Sequence, residues 1–246
     1  MKRLLVTLLL LTTLLAQGQW KNLLIASKQQ AENPLNTGRL FNFEFDGNLT
    51  DLMGNYTPVV IGTASYVSTP TGQGANFSTA GLNRLDIPHD SNFDLASWSI
   101  NLAIRFDADT PQFAVLLEKR SGSVDHWGLN FWNNSRFYVS VDDSNFLTNT
   151  TALNVTRDGT TWYHAVATYD NVTNLLSFYL GGVLVASQTI TAPTLNFEAY
   201  DVTIGQRKNT LGEQFDGTID EASLWNRPLT ADEVSDLYTE YTAKIN

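Results

Sequence analysis

The chain predicts an all-β fold, an antiparallel sandwich of short strands finished by one short helix, and three observations carry that expectation. From Leu40 onward, runs rich in β-branched and aromatic residues are separated by Gly, Asn, Asp and Pro at the spacing of a sandwich or barrel. Several of these runs alternate apolar and polar residues with period two, as a strand with one buried face must. Near the end, Thr230-Ala231-Asp232-Glu233 has the Thr-x-x-Glu form in which each side chain satisfies an orphan amide of a helix's first turn.

Taken in order, residues 1–18 read as a signal peptide. Lys2 and Arg3 supply a positive start, Leu4 to Leu15 an apolar run, and Ala16 and Gly18 small residues for cleavage. The run is shorter than the roughly 20 residues a membrane helix needs, and no later stretch comes close. A secreted or periplasmic protein with no membrane insertion is therefore expected. Residues 19–39 are polar and irregular and read as a leader or linker, with a short helical piece around Leu23 to Gln30. The domain proper is 40–246, a length that suits one large all-β domain.

Within it, Ile100, Leu102, Ile104 and Phe106 alternate with Asn101, Ala103 and Arg105. Trp127, Leu129 and Phe131 alternate with Gly128, Asn130 and Trp132. After Asn133-Asn134-Ser135 the pattern resumes in Phe137, Val139 and Val141, opposite Arg136, Tyr138 and Ser140, which makes a hairpin. Trp162 to Tyr169 and Leu175 to Leu180 are further strands, and Gly181-Gly182 is a two-residue turn into Val183 to Ser187. Asp201 to Gly205 and Phe215 to Trp225 supply the last strands, and the capped helix runs on through Tyr238.

Charge and composition exclude several classes. A formal net charge of −10 argues against a general nucleic-acid or anionic-membrane binder, because such binding neutralises phosphates with Lys and Arg. The chain has no cysteine, which excludes disulfides, thiol chemistry and a cysteine-linked lipid anchor. His89, His126 and His164 are scattered without metal-binding spacing, so zinc is not expected.

Phe45-Asp46-Gly47-Asn48-Leu49-Thr50-Asp51, Phe77 to Leu85 with Asp86-Ile87-Pro88, Trp162 to Asp170, Phe178 to Val185, Ile204-Gly205 and Phe215 to Val234 follow one another along the chain. In this series, which covers Leu40 to Leu237, the sequence resembles the laminin G-like, concanavalin A-like jelly rolls of secreted proteins. The resemblance implies an antiparallel two-sheet jelly-roll β-sandwich that serves as a binding module, an enzyme accessory domain or an adhesive unit. Two positions depart from the pattern: Ala103 stands where a Trp is usual, and Gly181 where an Asp is usual. Trp98, Trp162 and Trp225 match positions that serve packing. The resemblance also implies a structural Ca2+ where the first and last strands lie side by side. Asp46 and Asp220 would be ligands, with Asn48, Asp51 or nearby carbonyls completing a shell of oxygens. The plainer reading makes Asp46-Gly47 and Asp216-Gly217 turn formers.

The hairpin offers the sharpest binding site. If Phe131 pairs with Phe137, then Asn130, Trp132, Arg136 and Tyr138 share the face opposite the apolar one, with His126, Lys119 and Asp125 at its edge. An aromatic ring stacks on the C–H face of a sugar while amide and guanidinium groups bond its hydroxyls, so this set is a candidate glycan site. The plainer reading has Trp132 and Tyr138 covering a sheet or loop.

Catalysis finds less support. Glu44-Phe45-Asp46 begins like the Glu-x-Asp-x-x-Glu signature of laminarinase-type enzymes, but Leu49 stands where the second Glu is required. Three classes remain: a secreted, non-catalytic carbohydrate-binding module for a glycan or polysaccharide; a module for an extracellular protein partner; and a lyase or hydrolase with an unrecognised site.

Overall fold

The computed structural model describes residues 33–78, 80–121, 124–132, 136–142, 146–148, 155–195, 197–208 and 213–245. The expected signal peptide and the helical piece expected around Leu23 to Gln30 lie outside them. The chain divides after Gly38. In the first unit the described residues form one 3-10 turn, Pro34–Asn36, capped by the Asn33 side chain, which accepts the Leu35 N–H at 2.9 Å.

The second unit begins at Arg39 and carries fifteen strands among the described residues. They are β1 (Arg39–Phe43), β2 (Val59–Gly62), β3 (Tyr66–Thr69), β4 (Gly72–Phe77), β5 (Leu82–Ile87), β6 (Trp98–Phe106), β7 (Phe113–Ser121) and β8 (Val124–Trp132). There follow β9 (Arg136–Ser140), β10 (Phe146–Thr148), β11 (Trp162–Asp170), β12 (Leu175–Leu180), β13 (Val183–Thr189), β14 (Val202–Ile204) and β15 (Gly217–Trp225). One layer runs β10-β9-β8-β7-β14-β5, with β2 beside β5. The other runs β4-β15-β6-β11-β12-β13, with β3 beside β4 and β1 beside β15. Pairing is antiparallel throughout except for one parallel bridge, Phe77 to Leu82, where the layers join. This is the expected two-layer antiparallel sandwich.

Alternation explains the core. Ile100, Leu102, Ile104 and Phe106 of β6 turn inward, as do Trp127, Leu129 and Phe131 of β8 and Phe137 and Val139 of β9, all at most 2% exposed. Phe106 ties the layers together. Its ring lies 4.7 Å from that of Phe131, 5.4 Å from Phe215, 5.9 Å from Phe137 and 6.0 Å from Tyr163, three of these contacts edge-on.

The final helix, α1 (Ala231–Ala243), has the expected capping box: Thr230 accepts the Glu233 N–H at 3.2 Å and Glu233 accepts the Thr230 N–H at 2.8 Å. Arg227 holds the same carboxylate bidentately at 2.7 and 2.8 Å. The helix outlasts the expected end at Tyr238 because Tyr241 continues the buried stripe of Val234 and Leu237, at spacings of three and four residues. Just past it, Lys244 bonds Glu44 beyond β1 at 3.0 Å and Glu221 of β15 at 2.6 Å.

Replacing Phe106 by Ala removes the ring shared by four partners, and the expected cost is about 3–5 kcal/mol in urea unfolding. A loss below about 1 kcal/mol would contradict the central role given to this ring.

Candidate functional site

The β8–β9 hairpin pairs as the alternation requires, with Phe131 opposite Phe137, Trp132 opposite Arg136 and Asn130 opposite Tyr138. The Asn133-Asn134-Ser135 turn lies outside the described residues. Because Phe131 and Phe137 are buried, His126, Asn130 and Trp132 turn to the other face together with Arg136 and Tyr138. The structure thus brings the five sequence-predicted residues onto one face, at different depths. Trp132 is 46% exposed, Arg136 and Tyr138 are partly exposed, and Asn130 and His126 are buried.

Two neighbours hold the Trp132 indole. Tyr138 stacks on it at 5.7 Å with 29° between the rings, and Phe113 meets it at 5.2 Å and 83°. Phe113 comes from β7, where it sits directly opposite Trp132. Sequence reasoning passed over this strand, since Ala114, Val115, Leu116 and Leu117 form an unbroken apolar run and a register shift at Leu116 interrupts its period.

Beneath the rings lies a charged layer that was also missed. Arg207 grips Glu118 of β7 at 2.9 and 3.3 Å, reaches Glu213 at 2.6 Å, and lies 5.1 Å over the Phe113 ring. Asn130 completes the layer, donating to Glu118 at 3.0 Å and accepting the Leu116 N–H at 3.3 Å. Burial raises the pKa of Glu213, and Arg207 opposes the shift. His126 packs against the edge of Tyr200 at 5.3 Å. Lys119 does not lie at the edge of this face. It turns to the opposite side of β7, fully buried, and pairs with Asp94. The Asp125 side chain lies outside the described residues.

The acidic residues near β1 and β15 separate into two groups. Asp46 and Asp220 both reach the β3–β4 hairpin: Asp46 accepts the N–H of Gln73 at the start of β4 at 2.8 Å, and the hydroxyl of Thr71 in the turn donates to Asp220. Two backbone irregularities aim them there. Phe45 adopts a left-handed φ of 57°, costing roughly 1–2 kcal/mol, while its ring stacks on Phe43 at 5.8 Å. In β15 a bulge between Ile219 and Glu221 takes Asp220 out of the ladder to β6. Gly72 fits closely here, since a Cβ on it would fall 2.2 Å from Asp46 Oδ1. Burial pushes Asp220 up to about 6, with the Thr71 and Thr69 hydroxyls opposing the shift. Asn48 and Asp51 face their own loop instead. Asn48 bonds the Asp46 carbonyl and the Thr50 N–H, and Asp51 accepts the amides of Asn42, Met53, Asn55 and Tyr56 at 2.8–3.1 Å. Among the described residues no three Asp, Glu or His side chains converge on a point.

A laminin G-type family model, described as the concanavalin A-like lectin/glucanases superfamily, matches residues 79–235. The chain belongs to this superfamily. No curated protein matches its sequence. Among solved structures, domain 4 of AbnA, a GH43 extracellular arabinanase from Geobacillus stearothermophilus in complex with arabinotriose, superposes with a TM-score of 0.66 at 18% identity, covering 81% of this chain and 98% of that one. The binding domain of botulinum neurotoxin DC in complex with rat synaptotagmin II gives 0.62 at 13% identity over 84% of this chain and 52% of its own. A structure of botulinum neurotoxin type C, whose cell entry depends on two ganglioside molecules, gives the same values. The superfamily member described here spans about half the length of those toxin chains. At these identities the likeness is one of fold. No helix among its described residues is long and apolar enough to cross a membrane.

Removing one partner of the buried ion pair leaves the other uncompensated. Arg207→Ala is therefore expected to cost about 3–5 kcal/mol by chemical denaturation, and an unchanged midpoint would show that the layer does not support the face.

Proposed function

We propose that the chain is a secreted, non-catalytic carbohydrate-binding module whose glycan face is the ring cluster of Trp132 and Tyr138. The observation that carries this reading is an indole fixed by Tyr138 and Phe113 yet 46% exposed. A ring already held in place loses little freedom on binding. Its apolar face suits the C–H face of a sugar, and Arg136 beside it suits the hydroxyls. In this reading Asn130, opposite Tyr138 in the hairpin, backs the rings, while His126, six residues before Trp132 on β8, lies about 20 Å along the strand from them. The arabinotriose bound to the AbnA domain and the gangliosides of the toxin support a glycan as the ligand class. Secretion rests on Lys2, Arg3 and the Leu4 to Leu15 run. A non-catalytic role is supported by Glu118, buried and chelated by Arg207 and Asn130.

On a glycan array, Trp132→Ala and Tyr138→Ala should each weaken the bound glycan about ten-fold or more, a loss near 1.4 kcal/mol. A glycan whose binding ignores both substitutions overturns the assignment. A second reading, a module for an extracellular protein partner, draws on Val172, Val183 and Leu184, which are 85%, 67% and 50% exposed. It predicts a specific partner retained when Trp132 is Ala and lost when Val183 and Leu184 become Ser.

Structural calcium belongs to the same proposal. Asp46, Asp220 and the Thr71 hydroxyl are the hard oxygen donors this ion takes, and a cation would offset the burial of Asp220. Asn48 and Asp51 would then brace the loop that carries Asp46. Calcium should raise the melting temperature of chelator-treated protein, and Asp220→Asn should abolish that rise. An identical melting temperature in calcium and in EDTA would sink the metal.

A further inference from the structure

Away from the ring cluster, a cavity of about 380 Å³ opens between α1 and the outward face of β11 and β12, lined among others by Trp162, His164, Leu180, Gly181, Tyr238 and Tyr241. Trp162, expected to serve packing, is only partly buried here. Alternation along β11 sends Tyr163, Ala165 and Ala167 toward the core and leaves Trp162 and His164 on the outward face, beneath the helix.

His164 is 3% exposed and Tyr241 4%, and their rings lie 5.4 Å apart. Neither ring nitrogen of His164 has a hydrogen-bond partner among the described residues, and neither has the Tyr241 hydroxyl. Each buried polar atom left unpaired costs about 1–3 kcal/mol, so three at one cavity mark a place built for a ligand's polar groups. Burial holds the His164 pKa down at about 4, so at neutral pH the ring is uncharged and offers one donor and one acceptor.

The two departures from the laminin G-like pattern meet here. Ala103 lies directly opposite His164 in the β11–β6 ladder, on the same face, where a larger side chain would crowd the imidazole. Gly181 lines the cavity where the pattern carries an Asp, so no carboxylate stands at its wall. The turn needs glycine twice over: φ is 57° at Gly181 and 77° at Gly182, and a Cβ on Gly182 would fall 3.0 Å from Tyr238.

We propose that this cavity is a second binding site, distinct from the Trp132 face, which takes one neutral sugar ring on His164 and Tyr241. The lining holds no charged side chain, which disfavours an ion. Arg105, 5.8 Å over the Trp162 ring, is paired with Asp107 at 3.4 Å. The volume lies at the small end of ligand pockets, which run from about 300 to 1,000 Å³. Aromatic walls alone would accept a phenol as readily as a sugar. The polar atoms decide between them, because a phenol has one hydroxyl, whereas adjacent hydroxyls on a sugar can both donate and accept and so engage His164 and Tyr241 together.

The test is titration of the purified protein with methyl glycosides of neutral hexoses and pentoses, following the His164 ring signals by NMR. At least one glycoside should shift them saturably. Tyr241→Phe, which keeps the ring and its packing, should weaken that response about ten-fold, the loss of one hydrogen bond, while Trp132→Ala leaves it unchanged. His164→Gln, with its folding checked by thermal melt and its titration followed on the Tyr241 ring signals instead, should weaken binding of the same glycoside as well. Unmoved His164 signals across the panel overturn the proposal, as does phenol matching the best glycoside, or a response lost in Trp132→Ala and kept in Tyr241→Phe. Because the ring-cluster variants report on the other site, the two assignments fail separately.

Discussion

Burial of Phe131 and Phe137 against Phe106 is the constraint on which the rest of the face depends. A strand gives adjacent side chains to opposite sides, so once these two rings pack 4.7 and 5.9 Å from Phe106, Trp132, Arg136 and Tyr138 must point outward. A slip of one residue would exchange the core and the exposed face together. The exposed face of the hairpin is thus fixed by the same contact that joins the layers.

Depth is governed by a second layer. Glu118, Asn130 and Arg207 form a satisfied ionic cluster under the rings, held at distances between 2.9 and 3.3 Å. Burying such a pair is costly on its own, yet its Arg207 also lies 5.1 Å over the Phe113 ring that meets Trp132 edge-on. On the other layer α1 plays a comparable part. Its inward stripe closes over β11, and Lys244 just past it bridges Glu44 beyond β1 and Glu221 of β15.

Much of this was legible in the sequence where local periodicity governs. The β8–β9 pairing, the Gly181-Gly182 turn and the Thr230–Glu233 capping box each follow from spacings of a few residues. β7 was not, because its buried run and the extra residue at Leu116 erase the alternation that identifies a strand. Nor could period two show that Asn130 lies under the surface, since its cover comes from Glu118 and Arg207, distant along the chain. The same limit hid the burial of His164. Its position on β11 says which way it points, but its enclosure comes from a helix more than 60 residues later.

The last strand, β15, is not at a sheet edge. Its one side lies along β6 from Gly217 to Trp225, and its other is shared by β4 and β1. A chain made from its N-terminus onward therefore carries β1, β4 and β6 without the neighbour that joins them until residue 225 has emerged. Loop closures of this span oppose early pairing. The nascent chain then remains without its central seam until this strand has been made, so the two layers close late, by one pairing event that joins β1, β4 and β6 at once.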